Sequence, residues 1–374
     1  MKPRVAVALS GGIDSLTSAW LLKDQGYRVI GVHFVTGYEG YPEPSFDQNH
    51  SLTDSLVKTA DSKLSPIATR LDIPLKIFDC SERFKTEVVD YFIGAYRTGR
   101  TPSPCLVCNP IIKFGDLFDF ARQLGAERLA TGHYARIRRE TDGRVRLYRG
   151  IDSGKDQSYF LARLSRRQLG RSLFPLGEMT KSEVIALAHQ KNLIPTTNGE
   201  SQDICFIKSG GYGEFMLRQS GFKPSPGPIV KPDGEEIGQH PGLHLFTIGQ
   251  RRGINCPARK PYYVVRIESD QNRLVVGRHE DLFSPACRVV EINWIAPIPT
   301  VPSRMSVKIR YRHKALPATV VPSANRTAQI RFDRPQAAIT PGQGAVFYQG
   351  DEVLGGGWIA GNRHPVSRNQ HPAD

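Results

Sequence analysis

The chain has 374 residues, 39% of them apolar, and a net charge of +14. That length is too great for one typical domain, so two or three are expected, each with enough apolar residues for a core. No uninterrupted apolar stretch reaches the length of a bilayer span and no signal peptide precedes the first strand, which predicts a cytoplasmic chain with no membrane association. Lys and Arg outnumber Asp and Glu in each of residues 1–205, 206–280 and 281–374. An excess spread this widely suits an extended polyanionic partner such as a nucleic acid better than a local targeting signal, the bland alternative being a generally basic proteome. Six cysteines are too sparse for a disulfide framework.

In chain order, the apolar run Val5 to Leu9 predicts a strand, and Ser10-Gly11-Gly12-Ile13-Asp14-Ser15 leads from it into an amphipathic helix with Trp20, Leu21 and Leu22. Paired glycines let the backbone turn closely around an anion, hydroxyls and exposed amides donate to phosphate oxygens, and the helix presents its positive end. Asp14 is the candidate magnesium ligand. The plain reading is an ordinary strand-to-helix turn, since Ser and Gly are common at helix starts. The loop is neither a Walker A sequence nor a Rossmann fingerprint. Residues 36–64, rich in Gly, Pro, Ser and Asp before Leu52, are expected to form a mobile excursion. Strands are expected at Tyr27 to Val35 and Ile73 to Phe78, then a helix with Phe114, Leu117, Phe118, Ala121 and Leu124, and a strand end at Arg128 to Ala130. This alternation predicts an α/β fold, a doubly wound parallel sheet. Thr180 to Glu183 reads as a capping box for a late helix.

Beyond Cys205 the texture changes to Gly/Pro punctuation and short alternating runs. Tyr263 to Ile267 and Arg273 to Val276 read as a hairpin. Met305, Val307, Ile309 and Tyr311 alternate with Ser306, Lys308, Arg310 and Arg312, which predicts a strand with three cations on one face; solvated cations are the plain reading of that pattern. Ala328, Ile330 and Phe332 repeat it. The expected organisation is a catalytic domain over 1–208, a small β domain over 209–280 and a carboxyl-terminal β-barrel over 281–374, with the last ten residues disordered.

Cys105 and Cys108 form a Cys-x-x-Cys in a Pro-stiffened loop ahead of Lys113, and Cys205 closes the α/β region. A cysteine near a helix start and cations has a lowered pKa and acts as a nucleophile. Cys80, Cys256 and Cys287 read as inert.

The loop Ser10 to Ser15 resembles that of the N-type ATP pyrophosphatases, which split ATP to AMP and pyrophosphate. With Gly99 to Phe114, Ala130 to Tyr134, Gly150 to Leu161, Leu173 to Gly177, Ser201 to Ile207, Thr247 to Gly253 and Arg334 to Tyr348 followed by Gly355 to Gly357, the sequence resembles the bacterial tRNA-specific 2-thiouridylases over nearly its whole length. The resemblance implies ATP-dependent replacement of O2 of the wobble uridine by sulfur. ATP, with Mg2+, would be held by Ser10, Gly11, Gly12, Asp14, Ser15, Phe34 and Gly132. O2 of the base would be adenylated, then displaced by sulfur carried as a persulfide on Cys205, with Cys108 freeing the sulfur or resolving a disulfide with Cys205. A cysteine desulfurase or sulfur-carrier protein would load Cys205. Lys113, Lys155, Gln157, Arg251, Arg252, Lys308, Arg310, Tyr311 and Arg312 are the implied tRNA contacts, Asp156 would order its loop, and His133 is either a site residue or a satisfied core histidine. Many relatives carry an aspartate at the place of Cys105, which leaves Cys105 either in proton transfer or, with Cys108 and Cys205, as ligands of a [4Fe-4S] cluster. Ser65-Pro66 also departs from the family pattern. Rival readings are another enzyme built on the same loop and a catalytically idle tRNA-binding protein.

Overall fold

The computed structural model describes residues 2–39, 51–141, 143–196, 204–207, 211–219 and 221–361. Residues 40–50 of the expected excursion, 200–203 ahead of Cys205 and the last ten residues lie outside them.

Five parallel strands form the first sheet: β1 (Arg4–Ala8), β2 (Arg28–Val35), β3 (Leu75–Asp79), β4 (Arg128–Ala130) and β7 (Ser172–Leu173), in the order β3-β2-β1-β4-β7. Val5, Ala6 and Val7 of β1 are wholly buried, as a central parallel strand covered on both faces requires. The strand order reverses beside β1, so the loop leaving its carboxyl end opens at the switch point where such sheets bind ligands. Helix α1 (Ile13–Asp24) follows that loop, and its Leu16, Ala19 and Leu22 share one apolar cluster with the strands beneath and with Leu64, Ile67, Ala68 and Leu71 of helix α2 (Ser51–Arg70) and the segment after it.

Helix α2 corrects the expected excursion, because the chain is helical from Ser51 and Pro66 sits inside the helix. Burial of Leu64, Ile67, Ala68 and Leu71 outweighs the backbone hydrogen bond that the proline removes.

The hairpin β5 (Ala135–Arg139) and β6 (Val145–Arg149) belongs to the first region in sequence but to another sheet in space. The central module is a four-stranded sheet, β8 (Gly227–Val230), β9 (Glu236–His240), β10 (Tyr263–Glu268) and β11 (Arg273–Gly277), ordered β10-β11-β8-β9. The expected hairpin is its β10–β11 pair, with Ile267 opposite Leu274.

The final barrel runs β12 (Phe283–Trp294), β15 (Thr327–Ala337), β14 (Leu316–Ser323), β13 (Ser303–Lys308), β16 (Gly344–Gln349) and β17 (Glu352–Ile359), closed by pairing of β12 with β17. Strand β6 pairs with β17, Leu147 opposite Val353, so the first region extends the barrel sheet. Val307, Val320, Ile330 and Phe347 fill the interior. Strand β13 ends at Lys308, and the His313 amide donates to the Arg310 carbonyl in a turn. The expected three-cation strand face is therefore not formed: Lys308 alone is on the strand, while Arg310, Tyr311 and Arg312 lie in the bend that follows.

No helix among the described residues is long and apolar enough to cross a membrane.

Candidate nucleotide and thiol site

The loop after β1 is stitched by its own serines. Ser15 Oγ donates to the Gly12 carbonyl at 2.8 Å and lies 3.2 Å from the Ser10 amide, which donates to it. Gly11 has φ +80°, and a Cβ there would collide with Thr196 Oγ1, whose residue also donates its amide to the Gly11 carbonyl. Gly12 caps α1 in an extended conformation with no side-chain cap, leaving the first helical amides to an incoming acceptor.

Gly132, which ends the β4 segment, lies against this helix start. A Cβ on Gly132 would sit 3.0 Å from the Asp14 carbonyl carbon and 3.1 Å from the Ser15 amide. Asp14 Oδ1 accepts from Tyr134 at 2.8 Å and from Lys181 Nζ at 2.7 Å. Lys181 is the first residue of the helix Lys181–Gln190, whose capping box of Thr180 and Glu183 forms as expected. Neither Tyr134 nor Lys181 carries a sequence signal that assigns it to the site, although both fall in segments singled out above. With Oδ1 engaged, Asp14 offers one remaining carboxylate oxygen, which suits a magnesium ion held mainly by ATP phosphates and water. Phe34, the other implied nucleotide contact, is half-buried on β2 and packs between the apolar clusters under the sheet and under the cysteine loop.

From Gly132 the chain turns toward Phe114, in the helical segment that follows the cysteine loop. The neighbouring His133 is buried, shares a 2.7 Å hydrogen bond with Thr131 and touches the rings of Phe114 and Phe174. Burial first, then the charge of Lys113, hold its pKa far below the ordinary value, so it is neutral near pH 7.

Lys113 also acts on Cys105 and Cys108. Cys105 is open to solvent yet ringed by protein, as at the floor of a cleft, and desolvation pushes its thiol up to about 11. Cys108 is buried, and desolvation pushes it up to about 12. In both, Lys113 pulls the other way and a neighbouring Cys205 adds to the rise. The expected lowering of these thiols by a helix start and nearby cations is thus overturned, because loss of hydration outweighs one ammonium group. Cys205 is exposed, and its segment is anchored by buried Phe206, whose ring meets Tyr38, Phe84 and Phe92 in the apolar cluster that also holds Cys108 and Cys80. Cys287 is buried in the barrel and Cys256 lines a basic groove in the central module. Among the described residues no three His, Cys, Asp or Glu side chains gather closely enough to hold a metal ion, so the donor set for a [4Fe-4S] cluster on Cys105, Cys108 and Cys205 is not assembled.

All three folding units clamp the cysteine loop. The Thr101 amide donates to the Pro341 carbonyl at 2.9 Å, and Gln343 Nε2 donates to the Thr101 and Pro102 carbonyls. From the central module, Ile267 leaves no room for a Cβ at Gly99, which has φ +65°.

The remaining candidates divide. Asp156 is buried and accepts from the Gly150 and Ser158 amides and from Ser158 Oγ, so it orders its loop. Gln157 accepts from the Tyr134 amide through Oε1. Tyr311 packs on Phe160 with ring centroids 4.3 Å apart and planes tilted by 36°, and burial first, then the charge of Asp156, pushes its phenol up. Lys308 lies over the rings of Tyr159 and Tyr311, so it faces the cysteine cleft and not the barrel exterior. Arg251 and Arg252 are exposed some distance along the chain in the central module, where Arg251, Arg259 and Lys260 line an open groove of about 430 Å3.

Against known proteins, residues 3–209 match the model of a tRNA methyl transferase HUP domain, 214–278 a tRNA methyl transferase PRC-barrel domain and 284–359 an aminomethyltransferase beta-barrel domain. The chain is 50% identical to a tRNA-specific 2-thiouridylase MnmA of Desulfosudis oleivorans, over 96% of this chain and 95% of that one. It is 43% identical to the protein of that name in Geobacter metallireducens, over 96% of this chain and 97% of the other. Among solved structures, a U34-tRNA thiolase NcsA from Methanococcus maripaludis with its [4Fe-4S] cluster overlays 54% of this chain and 60% of its own at 20% identity and a TM-score of 0.33, and nothing about this site follows from that overlay.

Proposed function

The chain belongs to the tRNA-specific 2-thiouridylases, and from that premise we propose how its own residues divide the work. The enzyme is a sulfurtransferase that uses ATP to replace O2 of the wobble uridine of tRNA with sulfur.

In the proposed division, the triphosphate lies on the Ser10 to Ser15 loop at the positive end of α1, with Lys181 and the free oxygen of Asp14 beside it and Gly132 keeping the approach narrow. A magnesium ion on Asp14 would offset phosphate charge. O2 of the uridine attacks the α-phosphate, pyrophosphate leaves, and the base becomes a good electrophile at C2. The terminal sulfur of a persulfide on Cys205, supplied by a cysteine desulfurase or a carrier, then replaces AMP at C2. Cys108 attacks Sγ of Cys205, which releases the sulfur to the base and leaves a Cys108–Cys205 disulfide. That step reduces the transferred sulfur and oxidises the two thiols, so atoms and electrons balance. Lys155, Gln157, Lys308, Arg310, Tyr311 and Arg312 line the approach of the flipped base and its flanking phosphates, while Arg251 and Arg252 hold the backbone farther out.

The observation that supports this reading is that Gly132 lies against the Asp14 and Ser15 backbone of the phosphate loop, while the next residue, His133, shares with Cys105 and Cys108 the electrostatic influence of Lys113. On this reading an ATP-activated atom and a sulfur nucleophile meet in one cleft. The test is Cys205→Ala assayed by mass spectrometry of tRNA nucleosides: 2-thiouridine should vanish while ATP is still bound, and retained product would sink the sulfur-transfer role.

A further inference from the structure

The cysteine loop holds more thiols than the transfer step consumes. That step, on the reading above, ends in a Cys108–Cys205 disulfide, and a second turnover requires Cys205 to become a thiol again. Cys108 is 7% exposed, so a reductant meets this disulfide only at the exposed Cys205, the same sulfur that the sulfur donor must address.

The local backbone supplies a route. Cys105–Cys108 is one short helical turn, entered from Pro104. Its bonds are mixed: the Leu106 amide donates to the Ser103 carbonyl and the Val107 amide to the Pro104 carbonyl, each at 3.0 Å and three residues back, while the Cys108 amide donates to the Pro104 carbonyl at 2.8 Å, four residues back. On such a turn residues i and i+3 are neighbours on the helix surface, which places Cys105 and Cys108 on one face. Side chains so spaced on a helix have Cβ atoms about 5 to 6 Å apart. Helical geometry sets Cα atoms three residues apart at about 5 Å, inside the roughly 4.4 to 6.8 Å that a disulfide spans. Cys105 is open to the cleft, whereas Cys108 is not. Cys205 lies near enough to both to perturb their ionisation, and Lys113 is a cation shared by Cys105 and Cys108.

We propose that Cys105 is a third member of the thiol relay: its thiolate attacks Sγ of Cys108 in the Cys108–Cys205 disulfide, expels the Cys205 thiolate and forms a Cys105–Cys108 disulfide. One S–S bond breaks and one forms, the oxidation level is unchanged, and the proton given up by Cys105 is taken by Cys205. Cys205 is thereby returned to the sulfur donor while the oxidising equivalents move to the exposed Cys105. A dithiol reductant then attacks Sγ of Cys105, expels Cys108 and closes its own disulfide, which restores both thiols. The reductant and the sulfur donor thus address different sulfurs. This inference rests on the persulfide reading of Cys205.

The test loads the enzyme with sulfur from cysteine and a cysteine desulfurase, removes small molecules, adds tRNA and ATP without reductant, quenches with an alkylating agent at low pH and maps disulfides by mass spectrometry. The wild-type chain should end as Cys105–Cys108 with Cys205 alkylated. Cys105→Ser should stop at Cys108–Cys205, and its steady-state rate with dithiothreitol should fall below that of the wild type, since the exposed resolving thiol is gone. Wild-type protein that ends as Cys108–Cys205 would overturn the relay, as would Cys105→Ser turning over at the wild-type rate. The mapping on unaltered protein stands even where the variant folds poorly. Product formed with neither disulfide in either protein would instead remove the persulfide reading on which the relay rests.

Discussion

Lys181 and Asp14 stand 167 positions apart in the chain and meet at 2.7 Å between Nζ and Oδ1. The pair joins the amino end of a late helix to the start of α1, directly beside the phosphate loop. Lys181 is 12% exposed and Asp14 33% exposed at the side chain, so the ammonium is screened less than a surface lysine and is placed to act on phosphate charge. Lys181→Met keeps the stem and removes the charge. It should lower kcat/KM for ATP in pyrophosphate release by about 100-fold or more, the scale on which removing one preorganised donor to developing charge acts. Unchanged ATP kinetics would place Lys181 outside the nucleotide site.

Gly132→Ala is a sharper test of the same region. The new methyl would press on the Asp14 backbone at 3.0 Å, and backbone at a helix start cannot step aside as a flexible side chain can. The expected cost is about 1 to 3 kcal/mol of stability, the usual range for overpacking, with loss of ATP-dependent turnover. Wild-type stability and turnover would show that the loop is looser than this close approach implies.

The thiols set a pH dependence. With Cys105 pushed up to about 11 and Cys108 up to about 12, both are almost wholly protonated near neutrality, and only the thiolate attacks sulfur. Single-turnover transfer should therefore rise roughly tenfold per pH unit between about pH 7 and 9, until another step limits. Lys113→Met removes the group that lowers both thiols and should depress the rate at any fixed pH in that window. The fold holds these protons more tightly than the unfolded chain does, so stability should fall as pH rises from about 9, where unfolded thiols ionise, toward the folded values. A flat rate profile from 7 to 9 would contradict this account.

In the central module, Arg251, Arg259 and Lys260 line one groove. Replacing all three by Ala should weaken tRNA binding evenly across sequences and make the salt dependence shallower. The slope of log K against log salt should flatten by about 0.7 to 0.9 for each phosphate that the variant no longer neutralises. Filter binding at several salt concentrations reads this directly, and an unchanged slope would mean that tRNA does not use the groove.

Much of the architecture was legible because it is written in local signals: the strand, glycine pair and helix start around Ser10 to Ser15, the capping box at Thr180, and the hairpin ending at Val276. What was not legible depends on distant partners. Nothing near Pro66 announces that Leu64, Ile67 and Leu71 have a cluster of sheet and helix residues to join. The alternation from Met305 to Arg312 has a strand's period, yet the strand ends at Lys308 where the chain bends. Strands β5 and β6 read locally as part of the first region, and only their pairing with β17 reveals the barrel sheet. Lys181 looked like one more residue in a cap because its partner Asp14 lies at the other end of the α/β domain.

Lys308 illustrates the same point and yields a final prediction. On the alternating pattern it belonged to a solvated face, but the structure sets its ammonium 5.9 Å from the Tyr159 ring centroid and 5.2 Å from that of Tyr311, inside the cleft between the first region and the barrel. Burial lowers its pKa, Asp156 raises it, and Arg149 lowers it again. Burial dominates, so Lys308 loses its charge at a lower pH than an ordinary lysine. If the charge serves tRNA binding, affinity in the wild-type protein should decline as pH rises through that lowered pKa, which lies below the ordinary lysine value of about 10.4. Lys308→Met should bind tRNA weakly at neutral pH, by about tenfold for one partly desolvated phosphate contact, and should lack that alkaline decline. A purely packing role would instead lower the melting temperature of Lys308→Met and leave the pH dependence of binding as in wild type.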